Sequence, residues 1–400
     1  MTDVAVMTAL RQSGSTALRV ADLMAATNLS HPSVTRALAE LDRSGFLTRK
    51  TQPKVGRQAG RPAGRVRFRA SAGHVAGIDV GSHKILVVLA DLAGKVVGVR
   101  RAMVPPSHTG SRLAGLVHET LSLALRDASL TTDALWAACA GSPGIIDGRS
   151  GCIRLAPGVP GRAGTALGAA LRASLPCPIL LENDITLAVL AETRGPEPEP
   201  VENLLLVQWG ERIGSGIIIN GKPYRGASGA AGELGFIDVT GDRAGEPVSS
   251  RGLGPFEQAA GAEAIRRLAD TSYRQAGASS PCRPGDDDRD LTPLFDAATA
   301  GDPIAMDVVD QVAATFAHGL ATLLVLLDPG LVLLGGGISG AGEVLLSSIR
   351  RHLAGRTLTP VRLRASTQGE QGVAMGAMHL ALDSAEKRLV AELTRPHRHQ

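Results

Sequence analysis

The chain has 400 residues, long enough for two or three domains with well-buried cores. It is rich in Ala, Gly, Leu and Val and only 2% aromatic, with no unbroken apolar run of 18 residues and no signal-peptide pattern at the start, which excludes membrane-spanning and secreted classes and implies a cytoplasmic protein. The net charge of +4 hides an asymmetry: residues 1–70 hold 12 Lys+Arg against 4 Asp+Glu, which leaves 30 against 34 for the other 330.

Two short helical patterns flank the polar break Thr27-Asn28-Leu29-Ser30. In the second, Val34, Leu38 and Leu41 recur at helical spacing and make one apolar stripe. Ser30 is placed to cap this helix, Pro32 suits its first turn, and Gly45 lies just past its end. The opposite face then carries His31, Ser33, Thr35 and Arg36, beside the capping Ser30. An apolar back with a polar front is how a helix-turn-helix reads a major groove; the alternative is an ordinary helical hairpin at the surface.

Between Arg49 and Arg69 every charged residue is basic. This is where a winged helix would place a β-hairpin, with Val66–Arg69 as the return strand. The charge excess of the first 70 residues implies a polyanion partner, double-stranded DNA. Arg57, Arg61 and Arg65, around Gly60-Arg61-Pro62, are the candidates for contacts in a minor groove; a solvated linker is the other reading.

Further along, His74–Ala90 reads as a strand, a glycine turn and a second strand, and Asp91–Gly94 turns into a third across Lys95–Val104. A helix is predicted over 111–128 and a buried strand over Leu135–Ala140, ending at Gly141-Ser142-Pro143-Gly144. Pro178–Leu181 is a short strand, followed by Glu182-Asn183-Asp184 and a helix to about Thr193. A Pro/acid segment marks a lobe boundary near 195–203. Strands follow at Leu204–Gln208 and Ile217–Asn220, helices across 255–270 and 303–327, and a strand at Leu331–Leu334 running into Gly335-Gly336-Gly337. The acidic stretch 286–290 lacks calcium-loop spacing and reads as a solvated loop. Cys139, Cys152, Cys177 and Cys282 show neither disulfide nor metal-site spacing. The recurrence of strand–turn–strand units in two halves predicts a duplicated α/β fold closing around a cleft.

These landmarks resemble the ROK family, which joins sugar kinases to sugar-responsive repressors. The resemblance runs over most of residues 15–385 and rests on Asp79-Val80-Gly81, Gly141–Asp147, Glu182-Asn183-Asp184, Gly229–Gly235, and Asp328-Pro329 before Gly335-Gly336. It implies a winged helix-turn-helix over residues 1–70 and a two-lobed, actin-like, sugar-kinase-like domain over 71–400. It also implies sugar contacts from Asn183, Asp184, Glu233 and Glu257, with Asp184 as the vestige of a catalytic base.

The chain departs from the family pattern at both phosphate loops. His83 and Ser82 stand where the first loop has a hydroxyl residue and a glycine, and Glu211-Arg212 interrupt the glycines of the second. Productive ATP binding is therefore not expected, although an arginine can also attract phosphate. Gly158 stands where many relatives have an asparagine near the sugar. Relatives also carry a zinc motif, whose four ligand positions fall here on Phe236, Val248, Ser250 and Pro255. No metal, cofactor or catalytic residue is expected, and the loop 246–257 must be held by packing or be mobile.

Together these readings predict a non-enzymatic repressor of sugar or oligosaccharide metabolism genes. It would act as a homodimer or homotetramer on a DNA operator, away from membranes, with a sugar or oligosaccharide effector. Two alternatives stand beside it: a sugar kinase with an appended DNA-binding domain, and a regulator whose second domain is only an oligomerisation scaffold.

Overall fold

The computed structural model describes residues 2–14, 16–50, 64–105, 110–147, 152–155, 167–195, 201–239, 252–282 and 290–394. At the N-terminus, α1 (Thr2–Gln12), α2 (Val20–Thr27) and α3 (His31–Arg43) pack together around Val6, Met7, Leu10, Leu23, Val34, Leu38 and Leu41. Asn28, in the left-handed region at φ 54°, ends α2. Ser30 caps α3 by accepting from the Ser33 amide at 3.4 Å. Strands β1 (Leu47–Lys50) and β2 (Arg65–Phe68) then pair antiparallel, from Leu47 opposite Phe68 to Lys50 opposite Arg65. Leu18 bridges Val66 from the other side. This is a winged helix. Its α1 was not read from the sequence; Val6, Met7 and Leu10 were its signal, an apolar cluster on one face of a short helix.

The first lobe contains β3 (His74–Val80), β4 (Lys84–Asp91), β5 (Val96–Met103), α4 (Gly110–Asp127), β6 (Leu135–Ser142), the small pair β7 (Ile145–Ile146) and β8 (Ile153–Leu155), α5 (Leu167–Ser174), β9 (Ile179–Asn183) and α6 (Asp184–Arg194). Its main sheet has the order β5-β4-β3-β6-β9, antiparallel through β5, β4 and β3 and parallel from β3 to β9. The second lobe contains β10 (Leu204–Trp209), β11 (Ile213–Ile219), β12 (Lys222–Pro223), α7 (Pro255–Ala260), α8 (Ala262–Gln275), α9 (Thr292–Thr299), α10 (Pro303–Leu327), β13 (Leu331–Gly335), α11 (Gly342–Leu353) and β14 (Leu363–Ala365). Its sheet has the order β12-β11-β10-β13-β14 with the same alternation of senses. Two sheets of one topology are the duplication expected from the repeated strand–turn–strand units. The last helix, α12 (Gly372–Thr394), returns to the first lobe, where it packs on β3, β6 and α6.

Two elements differ from the sequence reading for identifiable reasons. β11 starts at Ile213, four residues before the expected strand, and runs through Gly214 and Gly216. These are packing glycines rather than turn glycines: a Cβ on Gly216 would lie 2.6 Å from the Ile185 carbonyl oxygen of α6. The helix expected across 255–270 is two helices. Gly261 takes an extended backbone between them, and the next amide, of Ala262, donates to the Gly210 carbonyl at 3.0 Å. The acidic stretch lies outside the described residues except for Asp290, which accepts from the Thr292 amide at 3.0 Å in a turn.

Helix α10 is long and apolar enough to cross a membrane by length and composition, but Val308, Val312, Phe316 and Leu320 are buried within the second lobe's core. Its Asp310 accepts from Ser348 at 2.5 Å and from His352 at 2.8 Å, and pairs with Arg351, all on α11. Burial raises the Asp310 pKa, yet these partners outweigh it and hold the carboxyl down at about 2. Such a depressed group stabilises the fold above its unfolded pKa near 3.8 and loses that contribution as pH falls towards 2. The carboxylate is 42% exposed, so solvent screens the network. Asp310→Asn should therefore cost only about 1 kcal/mol near neutral pH in urea unfolding, with the gap to wild type closing between pH 4 and 2. A gap independent of pH would show that the pairing is not the cause.

Candidate DNA-binding surface and ligand cleft

On α3, Val34, Ala37, Leu38 and Leu41 face the core, while His31, Thr35 and Arg36 are exposed and Ser33 is half-buried. The hydroxyls of Ser30 and Ser33 lie 2.9 Å apart at the cap, so both serve the helix terminus. Thr35 Oγ1 lies 3.5 Å from His31 Nδ1, one helical turn away. Nearer the wing, Arg49 donates twice to Asp42, at 3.1 and 2.8 Å, and Arg43 pairs with Glu40. These acids at the far end of α3 occupy arginines that charge counting alone would assign to DNA.

In the wing, Val66 and Phe68 are buried, whereas Arg65 and Arg67 alternate with them and share the outward face. Arg67 was missed in the sequence, although its parity opposite Val66 and Phe68 was the available signal. Arg57 and Arg61 lie outside the described residues.

The candidate ligand site centres on the junction of β9 and α6. Asn183 caps α6: its Oδ1 accepts from the Thr186 amide at 3.0 Å, while its Nδ2 donates to the Gly144 carbonyl at 3.1 Å. The side-chain amide thus ties the turn after β6 to the helix. Asp184 follows as the first residue of α6, where the positive end of the helix dipole favours its charge. Its Oδ1 accepts from the Ile185 amide at 2.9 Å. Glu182, missed in the sequence as a participant, accepts from the Asn183 amide at 2.9 Å and pairs with Arg225 at 2.6 Å.

The Glu233 pKa is raised, first by burial and then by the charges of Asp184 and Glu257, with Arg212 opposing. The effect of both carboxylates on Glu233 places Asp184 and Glu257 in its electrostatic neighbourhood. Glu257 is only 4% exposed and already engaged: Oε1 accepts from the Ile213 amide at 3.0 Å, and Oε2 from the Gly254 amide at 2.8 Å and Arg212 Nη1 at 3.3 Å. Burial raises its pKa, and these donors pull against the rise. Of the four sugar candidates, Asn183 and Glu257 also brace the walls. Gly158 lies outside the described residues.

The second phosphate loop does not present an open glycine turn. Arg212 folds onto Glu257 and the Gly252 carbonyl, the latter at 2.6 Å. At the positions the resemblance assigns to zinc, Phe236 and Pro255 offer no donor atom, and Val248 and Ser250 lie outside the described residues. Among the described residues no cluster of His, Cys, Asp or Glu could hold a metal ion. The residues present do not fit zinc.

The fold is a winged helix joined to a duplicated two-lobed α/β body. Residues 75–384 match the ROK family model, and the chain belongs to the ROK family. Residues 2–58 match the MarR family model, consistent with the winged helix. The chain is 29% identical over 306 residues to a glucokinase of Halalkalibacterium halodurans, covering 75% of this chain and 92% of the relative. It is 24% identical over 361 residues to a xylose repressor of Caldicellulosiruptor bescii, covering 89% of each. A crystal structure of a ROK family transcriptional regulator, described as a homologue of the Escherichia coli MLC protein, superposes with a TM-score of 0.76. That alignment covers 98% of this chain and 97% of the other at 23% identity, a likeness of fold.

Proposed function

We propose that this chain is a DNA-binding transcriptional repressor of sugar or oligosaccharide genes, and that its kinase-like body senses a neutral sugar without phosphorylating it. Residues 1–70 would be the reading head and 71–400 the body, with the lobes meeting near 195–203. Paired heads in a homodimer or homotetramer would read an operator with matching symmetry. The observation that carries this reading is the winged helix with His31, Thr35 and Arg36 exposed on α3, fused to a body whose second glycine loop carries Arg212, folded onto the Gly252 carbonyl. Similarity over 89% of the chain to a xylose repressor supports it. The glucokinase relative, which covers 75% of this chain, is what the kinase alternative rests on.

Phosphoryl transfer needs γ-phosphate positioned against the sugar hydroxyl, and Asp184 alone cannot supply that. ATP-dependent turnover of a panel of hexoses and N-acetylated hexosamines should remain at background. Turnover abolished by Asp184→Asn would overturn the non-enzymatic reading. A scaffold body with no sugar ligand is the second reading, favoured by the protein donors that already occupy Glu257. Mapping genomic binding sites tests the main proposal: sites clustered beside sugar-uptake or glycoside-processing genes are expected, and scattered sites with no common sequence would refute it.

A further inference from the structure

We infer that Arg212 is a positioning residue that staples the cleft loop in place of a metal ion, so that the ROK body of this chain is metal-independent by construction. The guanidinium reaches both ends of one segment: Nη1 donates to the Gly252 carbonyl at 2.6 Å and to Glu257 Oε2 at 3.3 Å. Glu257 carries the tie onward to the Gly254 amide at the start of α7 and to the Ile213 amide at the start of β11. One ion pair thus joins the second glycine loop, the strand that follows it and the first turn of α7, which bears Glu257.

The space beside this pair is closed by backbone. A Cβ on Gly254 would lie 2.2 Å from the Gly235 carbonyl oxygen and 2.9 Å from the Phe236 Cα. That close approach packs the Gly254 backbone against Gly235 and Phe236, and neither Phe236 nor Pro255 has a donor atom to offer a metal ion. Beneath it, Phe256 stacks on Phe316 at 5.8 Å, and Phe316 on Trp209 at 3.7 Å. Trp209 Nε1 donates to the Ala260 carbonyl at 2.7 Å, which anchors the end of α7. Three of the ten aromatic residues in the chain stand in this one stack, so the segment has an apolar floor as well as an ionic clasp.

The clasp is asymmetric. Glu257 is 4% exposed and Arg212 is 31% exposed, so removing the arginine leaves a buried carboxylate without its counter-charge. The staple operates whether or not a sugar enters the cleft, so its failure and that of sugar sensing are separate results.

Amide hydrogen exchange on the full-length protein, washed with chelator and assayed for metal, tests the inference. Wild type should hold far less than one zinc per chain, with exchange at Ile213, Gly254 and residues 256–262 unchanged by chelation. Arg212→Met should accelerate exchange at these amides tenfold or more and leave the winged-helix amides as they were. Should that variant fail to fold, Arg212→Lys, which keeps the charge but loses the fixed fork, should accelerate them to a smaller extent. Wild-type exchange rates in whichever variant folds, or acceleration of the wild type by chelator, would overturn it.

Discussion

Arg36→Ala is expected to weaken operator binding by roughly 5- to 150-fold, the equivalent of about 1–3 kcal/mol, and to relax preference at one base pair. The expectation comes from the position of the residue. Val34, Ala37, Leu38 and Leu41 pin one face of α3 in the core, which sends Arg36 outward next to Thr35. Among the described residues no ion pair holds Arg36, in contrast to Arg43 and Arg49, whose partners are Glu40 and Asp42 on the same helix. A base-reading arginine loses two aligned hydrogen bonds when truncated, and the loss falls on one sequence position. A phosphate-binding arginine loses affinity for all sequences alike and flattens the salt dependence. Fluorescence titration of the selected operator and a scrambled duplex at two salt concentrations separates the two. Unchanged affinity and unchanged salt slope would remove Arg36 from the interface.

Asp184→Ala should abolish the response of the operator complex to sugar while leaving operator affinity without sugar intact. A carboxylate that accepts a sugar hydroxyl contributes roughly 1.5–3 kcal/mol, so sugar affinity should fall by at least about tenfold. If the proposed function holds, sugar and operator weaken each other by the same factor in the wild type, because coupling between binding sites is reciprocal. The connection between the two is contiguous packing. Helix α6 begins at Asp184, touches β11 of the second lobe and lies along α12. Helix α12 reaches the winged helix, where Glu386 pairs with Arg11 at 3.0 Å and Arg388 lies 4.6 Å over the Trp136 ring. Trp136 in turn meets Phe46 of the winged helix edge-on, with ring centroids 5.7 Å apart. Calorimetric titration of sugars into the free protein and into the operator complex measures both factors. A broad panel that binds neither form, with repression untouched in Asp184→Ala, would establish the scaffold reading instead.

Much of the molecule was legible because it is written in short-range patterns. The stripe Val34, Leu38, Leu41 with its Ser30 cap foretold α3 and its exposed face, and the run of basic residues after Phe46 foretold the wing. The glycine turn after Asp79 and the hairpin at Asp91–Gly94 foretold the first three strands of the body. Helix α12 escaped for a physical reason: it packs on the sheet, on α6 and against the winged helix, so it has no single apolar stripe. The glycines of β11 misled for a related reason, since a turn and a close helix contact require the same residue.

The sequence by itself determined the two-part plan of this protein: a basic winged helix, a duplicated α/β body, an Asn-Asp pair at a strand–helix junction, and altered residues at both phosphate loops. Periodicity, capping and charge are local properties, and they survive without coordinates. Only the tertiary structure decided what the altered residues do. Along the chain, Arg212 is an intruder in a glycine loop and Glu257 is a sugar candidate 45 residues away. Folding brings them to 3.3 Å and spends both on the wall of the cleft. Which polar groups saturate one another is set by long-range packing, and no spacing in the sequence carries that information.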